Sequence, residues 1–305
     1  MDQKPPLTRR SGATRRVAAL VLAVSACTAE PSRQDSPATA VCQQGKEATS
    51  SASTAPCLDP YDSATLALRP VAYFRLIPSQ GRVEHNVVTQ GPDGSFTRAD
   101  SPRPHRSLPN GSPATLFDGR TVVRVPAAPS LSVPTTGTLT VQAWVRPETL
   151  TFARTQGAGY VTWLGKVGPG ENEYALRMYS RGNTEGRGNR VSAYAFNAEG
   201  GKGSGSYFQD PLTAGDWLMV TAIITTKADG GYPANTVTIY RGASRRQTSS
   251  LTEFEVRPTT GSAPLQIGGD AGSFFEGAIG KVAVFDRALT HRDIETQVRF
   301  MTGPP

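Results

Sequence analysis

The segment that most constrains the fold is the run T-L-T-V-Q-A-W-V-R-P at residues 138–147. One set of its alternate positions is apolar throughout and consists of Leu139, Val141, Ala143 and Val145. A period of two is that of an extended strand with one apolar face. Pro147 cannot donate a hydrogen bond to a neighbouring strand, so this strand should end there. The apolar face must be covered, and we expect a second sheet to cover it.

Short apolar runs separated by Gly, Pro, Asn and Asp recur along most of the chain. They predict strands near residues 72–76, 114–117, 121–125, 139–146, 160–166, 174–179, 191–196, 218–226, 236–240, 265–267 and 279–285. Because almost no helical pattern lies between them, the strands should pair antiparallel. The sequence therefore predicts an all-β sandwich of two antiparallel sheets, with the strands at 139–146 and 218–226 in the middle.

One helix is predicted, at the carboxyl end of the chain. Thr290 and Asp293 have the spacing of a capping box. Ile294, Val298 and Met301 then fall on one side of a helix, which should close against the sheets and end before Gly303, Pro304 and Pro305.

The amino-terminal sixty residues differ in composition from the remainder. Residues 1–26 carry basic residues up to Arg16 and then an apolar run at 17–24, which is the order of a secretory signal. This run is too short to span a bilayer as a helix. Residues 27–60 are mostly Ser, Thr, Ala, Pro and Gln, which predicts a disordered tether. We therefore expect one folded domain at 61–305.

The three cysteines lie in or beside this tether. Cys27 ends the run V-S-A-C, which resembles a bacterial lipobox. The resemblance implies cleavage before an acylated Cys27 and a protein held by lipid on the extracytoplasmic face of a bacterial membrane. The alternative is an ordinary signal peptide with an incidental cysteine. In an exported protein the remaining pair, Cys42 and Cys57, either forms one disulfide or stays as free thiols in the tether.

Several other chemistries have little support in the sequence. The formal charge of +7 comes from basic groups interspersed with acidic ones, which does not point to nucleic acid. His85, His105 and His291 are far apart, with no second ligand at metal spacing, so a zinc site is not expected. The run G-K-G-S-G at 201–205 begins no helix, so it predicts a hairpin connection and not a phosphate site.

Four blocks in a fixed order resemble the laminin G-like group of the concanavalin A-like lectin and glucanase superfamily. They read A-T-L-F-D-G-R-T-V-V-R-V-P, L-T-V-Q-A-W-V-R-P, L-T-A-G-D-W-L-M-V-T-A and F-E-G-A-I-G-K-V-A-V-F-D-R-A-L-T-H-R-D-I. The resemblance implies a jelly-roll sandwich of two curved antiparallel sheets. It also implies a protein that binds glycans or protein partners, although one branch of the superfamily hydrolyses glucans.

The hydrolytic relatives place two carboxylates at alternate positions of one strand. Glu171 with Glu173, and Glu253 with Glu255, have this spacing. The first pair lies at a Gly-rich turn and the second precedes an apparent edge, so we expect exposed charges and no catalytic pair.

Many relatives hold a structural calcium with an acidic side chain in the block that reads A-I-G-K-V here, where the typical pattern is I-D-x-V. Gly280 and Lys281 stand in that block, which disfavours calcium because a carboxylate is lost and a cation is added. Asp118 matches the family's F-D-G and is the one candidate metal ligand, although it also suits bonding to its own turn amides. No cofactor is expected.

A ligand-binding region is predicted between residues 163 and 208, where aromatic residues, arginines and Gly-rich loops occur together. Alternation places Arg177 and Tyr179 opposite Leu176 and Met178, and therefore exposed to a ligand. The candidate ligand-binding residues are Trp163, Arg177, Tyr179, Arg181 and Tyr207. The alternative for Trp163 and the tyrosines is that they fill the sandwich core.

The sequence thus predicts a non-catalytic, extracytoplasmic binding module that recognises a glycan or a cell-surface protein and touches the membrane only through its lipid. Two alternatives stay open. One is a glucan hydrolase with displaced carboxylates, and the other is a purely structural envelope protein.

Overall fold

The structure is a computed structural model that describes residues 57–77, 81–98, 103–197, 203–246 and 257–303. The helices in these ranges are α1 (Pro60–Ala67), α2 (Val133–Thr136) and α3 (His291–Thr302), with a 3-10 turn at Pro129–Leu131. The strands are β1 (Ala72–Phe74), β2 (Val83–Glu84), β3 (Gly94–Phe96), β4 (His105–Ser107), β5 (Pro113–Asp118), β6 (Val123–Val125), β7 (Thr138–Pro147), β8 (Tyr160–Lys166), β9 (Tyr174–Tyr179), β10 (Val191–Phe196), β11 (Gly203–Tyr207), β12 (Leu218–Thr225), β13 (Thr236–Arg241), β14 (Ser244–Arg246), β15 (Leu265–Ile267) and β16 (Glu276–Phe285).

The strands form two antiparallel sheets. Sheet 1 has the order β14-β13-β12-β7-β16-β5-β4, with β1 also paired to β16, and sheet 2 has the order β11-β10-β9-β8-β15-β6-β3-β2. Strands that are neighbours in space often come from distant parts of the chain, as in a jelly roll. The predicted all-β sandwich of two antiparallel sheets is confirmed.

The main core lies between the sheets. The four apolar positions of β7 are fully buried in it, as their alternation predicts. Sheet 2 contributes Leu176, which is paired across strands with Leu164 and Ala193, and all three are buried in the same cluster. Burial of this continuous apolar layer is what fixes the two sheets face to face.

The prediction that β7 lies in the middle of a sheet is also confirmed, because β7 runs between β12 and β16. Its outer face differs from the expectation of a single apolar face. Gln142 is fully buried and Trp144 is only 3% exposed. Trp144 packs in a second apolar cluster with Tyr61 of α1 and Ile294 of α3, so the two helices cover the outside of sheet 1.

Helix α1 was not predicted, and it extends the folded chain to residues that the sequence assigned to the tether. Asp59 is its N-cap, and Asp59 Oδ1 accepts a hydrogen bond from the Asp62 amide at 2.7 Å while Asp62 Oδ2 accepts one from the Asp59 amide at 3.1 Å. The local signal was present, since Asp59, Pro60 and Asp62 occupy the cap, first and third positions of a capping box. Cys57 forms a disulfide whose other cysteine lies outside the described residues.

Helix α3 begins and packs as predicted. The Thr290 hydroxyl oxygen accepts a hydrogen bond from the Asp293 amide, and the Asp293 carboxylate accepts one from the Thr290 amide. Ile294 and Met301 are buried against sheet 1. Gly303 is the C-cap.

One predicted loop is a strand. Residues 203–207, which the sequence analysis placed in or beside a hairpin connection, form β11 and pair with β10 along their whole length. Glycines and serines give little strand signal of their own, so pairing with β10 decides the conformation. Within the described ranges, the helices are all too short to cross a membrane.

Candidate ligand-binding site

The outer face of sheet 2 carries the candidate site. Residues paired across antiparallel strands point to the same side of the sheet. Arg177 on β9 is paired with Thr162 on β8 and Ser192 on β10, whereas the adjacent Leu176 and Met178 lie in the core. The predicted division of β9 into two faces is therefore confirmed, and Arg177 lies on the side away from the core.

Arg177 is surrounded by aromatic rings. Its guanidinium carbon lies 4.4 Å from the ring centroid of Tyr160, 4.9 Å from that of Tyr194 and 4.8 Å from that of Phe196. Each distance is within the range of a cation–π contact. Arg177 Nε is buried without a hydrogen-bond partner, and no carboxylate of the described residues pairs with its guanidinium. The rings thus hold the partly exposed guanidinium of Arg177, which has no carboxylate partner among the described residues.

A second arginine continues the same layer. The guanidinium carbon of Arg187 lies 5.8 Å from the ring of Tyr179 and 5.5 Å from the ring of Tyr207. The ring of Tyr179 also meets those of Tyr160 and Tyr207 edge to face. We call the whole set the arginine–aromatic cluster, and its members are Tyr160, Arg177, Tyr179, Arg187, Tyr194, Phe196 and Tyr207.

The prediction that Tyr179 is exposed to a ligand is wrong. Its side chain faces outward from sheet 2, but only 2% of the residue is exposed, because Arg187 and the neighbouring rings cover it. Tyr207 is partly exposed at the edge of the cluster. Within the cluster, Arg177, Arg187, Tyr160 and Tyr207 are partly exposed, whereas Tyr179, Tyr194 and Phe196 are buried.

Trp163 does not belong to this face. It is fully buried in the core between the sheets. A bulge in β8 between Thr162 and Leu164 breaks the strict alternation, so Trp163 and Leu164 are both buried in that core. The alternative interpretation of Trp163 as a core residue is the correct one.

Arg181 lies just beyond β9 and is exposed. Its amide donates to the Leu150 carbonyl at 2.7 Å, which fixes the start of the loop at 180–190. None of the ring contacts of the arginine–aromatic cluster described above involves the Arg181 side chain. It is an accessible charge beside the cluster and not one of its members.

A polar cleft of about 180 Å³ adjoins the cluster and was not predicted. Gln156 Nε2 donates to Thr162 Oγ1 at 3.2 Å and to Asp270 Oδ2 at 2.6 Å, and Thr162 is the cross-strand neighbour of Arg177. Gln266, 4% exposed, also lines the cleft, and its Oε1 is buried without a partner. These residues are far apart in the chain, so no local pattern could bring them together.

The carboxylate pair at 171 and 173 is split by the fold. The expectation of an exposed charge is wrong for Glu173, which is fully buried. Its Oε2 lies 3.0 Å from Lys166 Nζ, while its Oε1 accepts from the Val133 amide and the Ser132 hydroxyl. Glu171 is exposed and its Oε2 accepts from the Ser262 amide at 3.0 Å. The two side chains have different partners and form no acid and nucleophile pair. Glu253 and Glu255 lie outside the described residues.

Asp118 has the turn role that its sequence suggested as an alternative. Its Oδ1 accepts from the amides of Arg120 at 3.0 Å and Thr121 at 2.9 Å. Partial burial raises the pKa of Asp118, but the hydrogen bonds from Thr121 and Arg120 outweigh burial and lower the pKa. Lys281, which stands in the family's calcium block, places its ammonium between Asp59 and Asp62. The residues present fit a calcium ion poorly.

The histidines are dispersed. His85 Nδ1 lies 3.1 Å from Asp93 Oδ2 on the surface, His105 is exposed on β4, and His291 stacks on Tyr240. Among the residues that the structure describes, no three His, Cys, Asp or Glu side chains are grouped as a metal site would require.

Two stacked antiparallel sheets, with strands that are distant in the chain paired side by side, define a jelly-roll β-sandwich. The chain belongs to the concanavalin A-like lectin/glucanases superfamily, whose model matches residues 117–295, more than half of the sequence.

Solved structures with the same fold are distant in sequence. The binding domain of botulinum neurotoxin serotype D is 10% identical with a TM-score of 0.53, and the match covers 75% of this chain and 51% of that one. The binding domain of botulinum neurotoxin DC, in complex with rat synaptotagmin II, is 11% identical with a TM-score of 0.53 and coverage of 76% and 51%. A Trypanosoma rangeli sialidase mutant with trans-sialidase activity is 14% identical with a TM-score of 0.50 and coverage of 78% and 34%.

The matched region therefore spans about half the length of the neurotoxin binding domains and about a third of the sialidase. At these identities the likeness concerns the fold alone. No curated protein matches the chain in sequence.

Proposed function

We propose that this protein is a non-catalytic binding module that recognises glycans carrying an acidic group through the outer face of sheet 2. The observation that carries the proposal is the Arg177 guanidinium, held by three aromatic rings and without a carboxylate partner among the described residues. A guanidinium forms two parallel hydrogen bonds with a carboxylate or a sulfate, and its geometry is fixed in advance when it stacks on rings.

The charges around Arg177 support an acidic ligand. Arg181 is exposed beside the cluster, and Arg187 lies over Tyr179 and Tyr207. The acidic side chain paired with one of them is Glu185, whose Oε2 lies 2.8 Å from Arg187 Nη1. This part of the face therefore carries an excess of positive charge, which attracts anionic ligands.

The polar cleft next to Thr162 supplies hydrogen-bonding groups for the hydroxyls of a sugar. The side-chain amides of Gln156 and Gln266 can donate to and accept from hydroxyl groups, and the Asp270 carboxylate can accept from them. The Gln266 Oε1 has no hydrogen-bond partner among the described residues. We assign the acidic group of the ligand to Arg177 and a neighbouring ring of the glycan to this cleft.

A binding role is favoured over hydrolysis by the chemistry of this face. The described strand residues that point outward beside Arg177 are not carboxylates, and a retaining hydrolase needs two carboxyl groups about 5 Å apart. Glu173, the one buried glutamate of the candidate pair, is already bound to Lys166 and Ser132. Recognition of a cell-surface protein by the same arginines is the alternative to glycan binding.

The module is further proposed to be exported and held by lipid at Cys27 on the extracytoplasmic face of a bacterial membrane. The support is the order of basic residues, apolar run and V-S-A-C in the leader.

The test is a glycan array that contains sialylated, uronate and sulfated glycans beside their neutral counterparts. We expect binding to the acidic members and a loss of affinity of about tenfold or more in Arg177→Ala, because a charge-assisted hydrogen bond contributes about 1.5 to 3 kcal/mol. Arg177→Lys should recover only part of the affinity, since an ammonium cannot form the paired hydrogen bonds.

The matched control is Arg292→Ala, which removes an exposed arginine from α3, on the other side of the sandwich. Its affinity should equal that of the wild-type protein. Unchanged affinity in Arg177→Ala, or binding restricted to neutral glycans, contradicts the proposed site.

A further inference from the structure

A second cleft, on the opposite side of the sandwich, is lined by two of the three tryptophans of the chain. Its volume is about 420 Å³, which is in the size range of small-ligand sites. We call it the tryptophan cleft. It lies between the outer face of sheet 1 and helix α3, and its lining includes Trp144, Asp216, Trp217, Arg241, Val298 and Thr302.

The wall of this cleft is held in place by hydrogen bonds. The loop at 208–217 leads into β12, and Trp217 Nε1 at its end donates to the Ser107 carbonyl at 2.8 Å. Arg241 Nη1 donates to the Pro211 carbonyl at 3.3 Å, and Arg146 Nε donates to the Gly215 carbonyl. A ligand would therefore meet a wall that is already ordered, which lowers the entropy cost of binding.

The floor of the cleft is apolar. Trp144 is 3% exposed, and its ring meets that of Tyr61 edge to face. Met219, beside it, is fully buried. Trp217 is only partly buried, so part of its indole is accessible for stacking.

The polar groups at the rim balance in charge. Asp216 supplies an anion and Arg241 a cation, and Thr213 and Thr302 supply hydroxyls. An anionic or cationic ligand would gain at one group and lose at the other. An uncharged molecule with both an apolar ring face and several hydroxyls fits both the indoles and the rim, and hexopyranose sugars have that chemistry.

We infer that the tryptophan cleft is a second binding site, which takes a neutral hexopyranose residue. Its ring stacks on Trp217, and its hydroxyls bond to Asp216 and Arg241. This site shares no residue with the arginine–aromatic cluster, so it does not depend on the function proposed for Arg177.

The distribution of the tryptophans provides the test. Trp144 and Trp217 line the cleft, whereas Trp163 is buried in the core between the sheets. The full chain labelled with 5-fluorotryptophan is titrated with methyl β-galactopyranoside, methyl β-glucopyranoside and methyl α-mannopyranoside and followed by ¹⁹F NMR. Concentrations reach about 50 mM, because one sugar ring on one platform is expected to bind with a Kd on the order of 1 mM.

We expect saturable shifts of the Trp217 and Trp144 resonances with at least one of the three sugars, and an unmoved Trp163 resonance. Asp216→Ala, at an exposed position, should raise the Kd about tenfold. Phe300→Ala removes an exposed ring of α3 that does not line the cleft and should leave the titration unchanged, as should Arg177→Ala.

The inference is overturned if none of the three sugars produces a saturable shift of Trp144 or Trp217. It is equally overturned if Asp216→Ala binds as well as the wild-type protein. If Arg177→Ala abolishes the shifts, the sugar binds on sheet 2, and the tryptophan cleft is not its site.

Discussion

Lys281 illustrates at the scale of one residue how a departure from a family pattern is accommodated. It is fully buried with φ of +56° at the bulge in β16. Its Nζ lies 2.6 Å from Asp62 Oδ1 and 2.7 Å from Asp59 Oδ2, and Asp62 also contacts Arg75 Nε at 2.9 Å. A buried ammonium is tolerated only when carboxylates compensate it. Lys281 therefore links sheet 1 to α1, and the carboxylates of α1 and its cap compensate the buried charge of Lys281.

Glu84 is the residue whose titration should be visible in the stability of the protein. It is 4% exposed, and burial raises its pKa to about 7, although the Leu76 amide and the guanidinium of Arg103 oppose this shift. The folded state therefore keeps a proton on Glu84 at a pH where the unfolded chain has released it, because the ordinary pKa is 4.5. The contribution of Glu84 to the free energy of unfolding is therefore fully present below pH 4.5 and is lost as pH rises through about 7.

We predict that the free energy of unfolding of the wild-type protein, measured relative to Glu84→Gln, falls as pH rises from 4 to 8. The fall should be on the order of 3 kcal/mol, since each unit of the pKa rise from 4.5 to about 7 corresponds to about 1.4 kcal/mol. Urea unfolding at several pH values measures it, and Glu295→Gln, at an exposed position on α3, controls for the loss of one carboxylate. A difference that stays constant with pH would show that Glu84 titrates normally.

At the scale of elements, α1 and α3 both begin with a capping box, but only the cap of α1 also makes a buried ionic contact. Asp59 caps α1 and contacts Lys281, whereas Thr290 caps α3 without a buried ionic partner. An N-cap alone contributes about 1 kcal/mol. Removing a carboxylate from a buried cation adds a further cost.

Thr290→Ala should therefore lower the free energy of unfolding by about 1 kcal/mol and Asp59→Ala by about 2 kcal/mol or more. Asp59→Ser, which keeps a capping oxygen but loses the charge, should lie between them. Urea unfolding at pH 7 gives the three values. Equal losses in Asp59→Ala and Thr290→Ala would contradict a stabilising role for the contact between Asp59 and Lys281.

The elements also differ in how far their sequence determined them. Helix α3 was predicted because its capping box precedes a strong amphipathic pattern. Helix α1 carries the same capping signal before a short and weakly patterned segment, and it was missed. Tertiary contacts of Tyr61 and Asp62 stabilise α1, and such contacts leave no periodicity in the sequence.

At the scale of the whole molecule, the two outer faces of the sandwich have different chemistry. Sheet 2 has partly exposed arginines supported by rings, whereas α1 and α3 pack on the outer face of sheet 1 beside the tryptophan cleft. A lipid at Cys27 would tether this domain through the segment before α1. Both proposed sites lie between residues 109 and 302.

If Cys27 carries the lipid, substitution of Cys27 and substitution of Cys42 should affect membrane attachment differently. Expressed in a bacterium with its leader, the wild-type protein should fractionate with membranes, and its mature amino terminus should be an acylated Cys27 by mass spectrometry. Cys27→Ser should lose acylation and leave the membrane fraction, whereas Cys42→Ser should remain acylated. A mature protein that retains Met1, or one that is processed but carries no lipid, contradicts the proposal.

The sequence by itself determined the fold class and much of the strand pattern. The alternation in β7 and β9 is a local property of the chain, and burial of one face follows from it directly. The division of β9 that placed Arg177 outward was predictable for this reason. The same alternation could not tell whether an outward residue is exposed, because Tyr179 and Trp144 both face outward and are both buried.

Only the tertiary structure decided which residues meet. Gln156 and Asp270, or Trp144 and Trp217, become neighbours because strands that are distant in the chain pair in one sheet. The bulge in β8 likewise decided that Trp163 fills the core. Local patterns record which side of a strand is apolar, whereas cavities and charge partners arise from long-range pairing, which no short segment of sequence encodes.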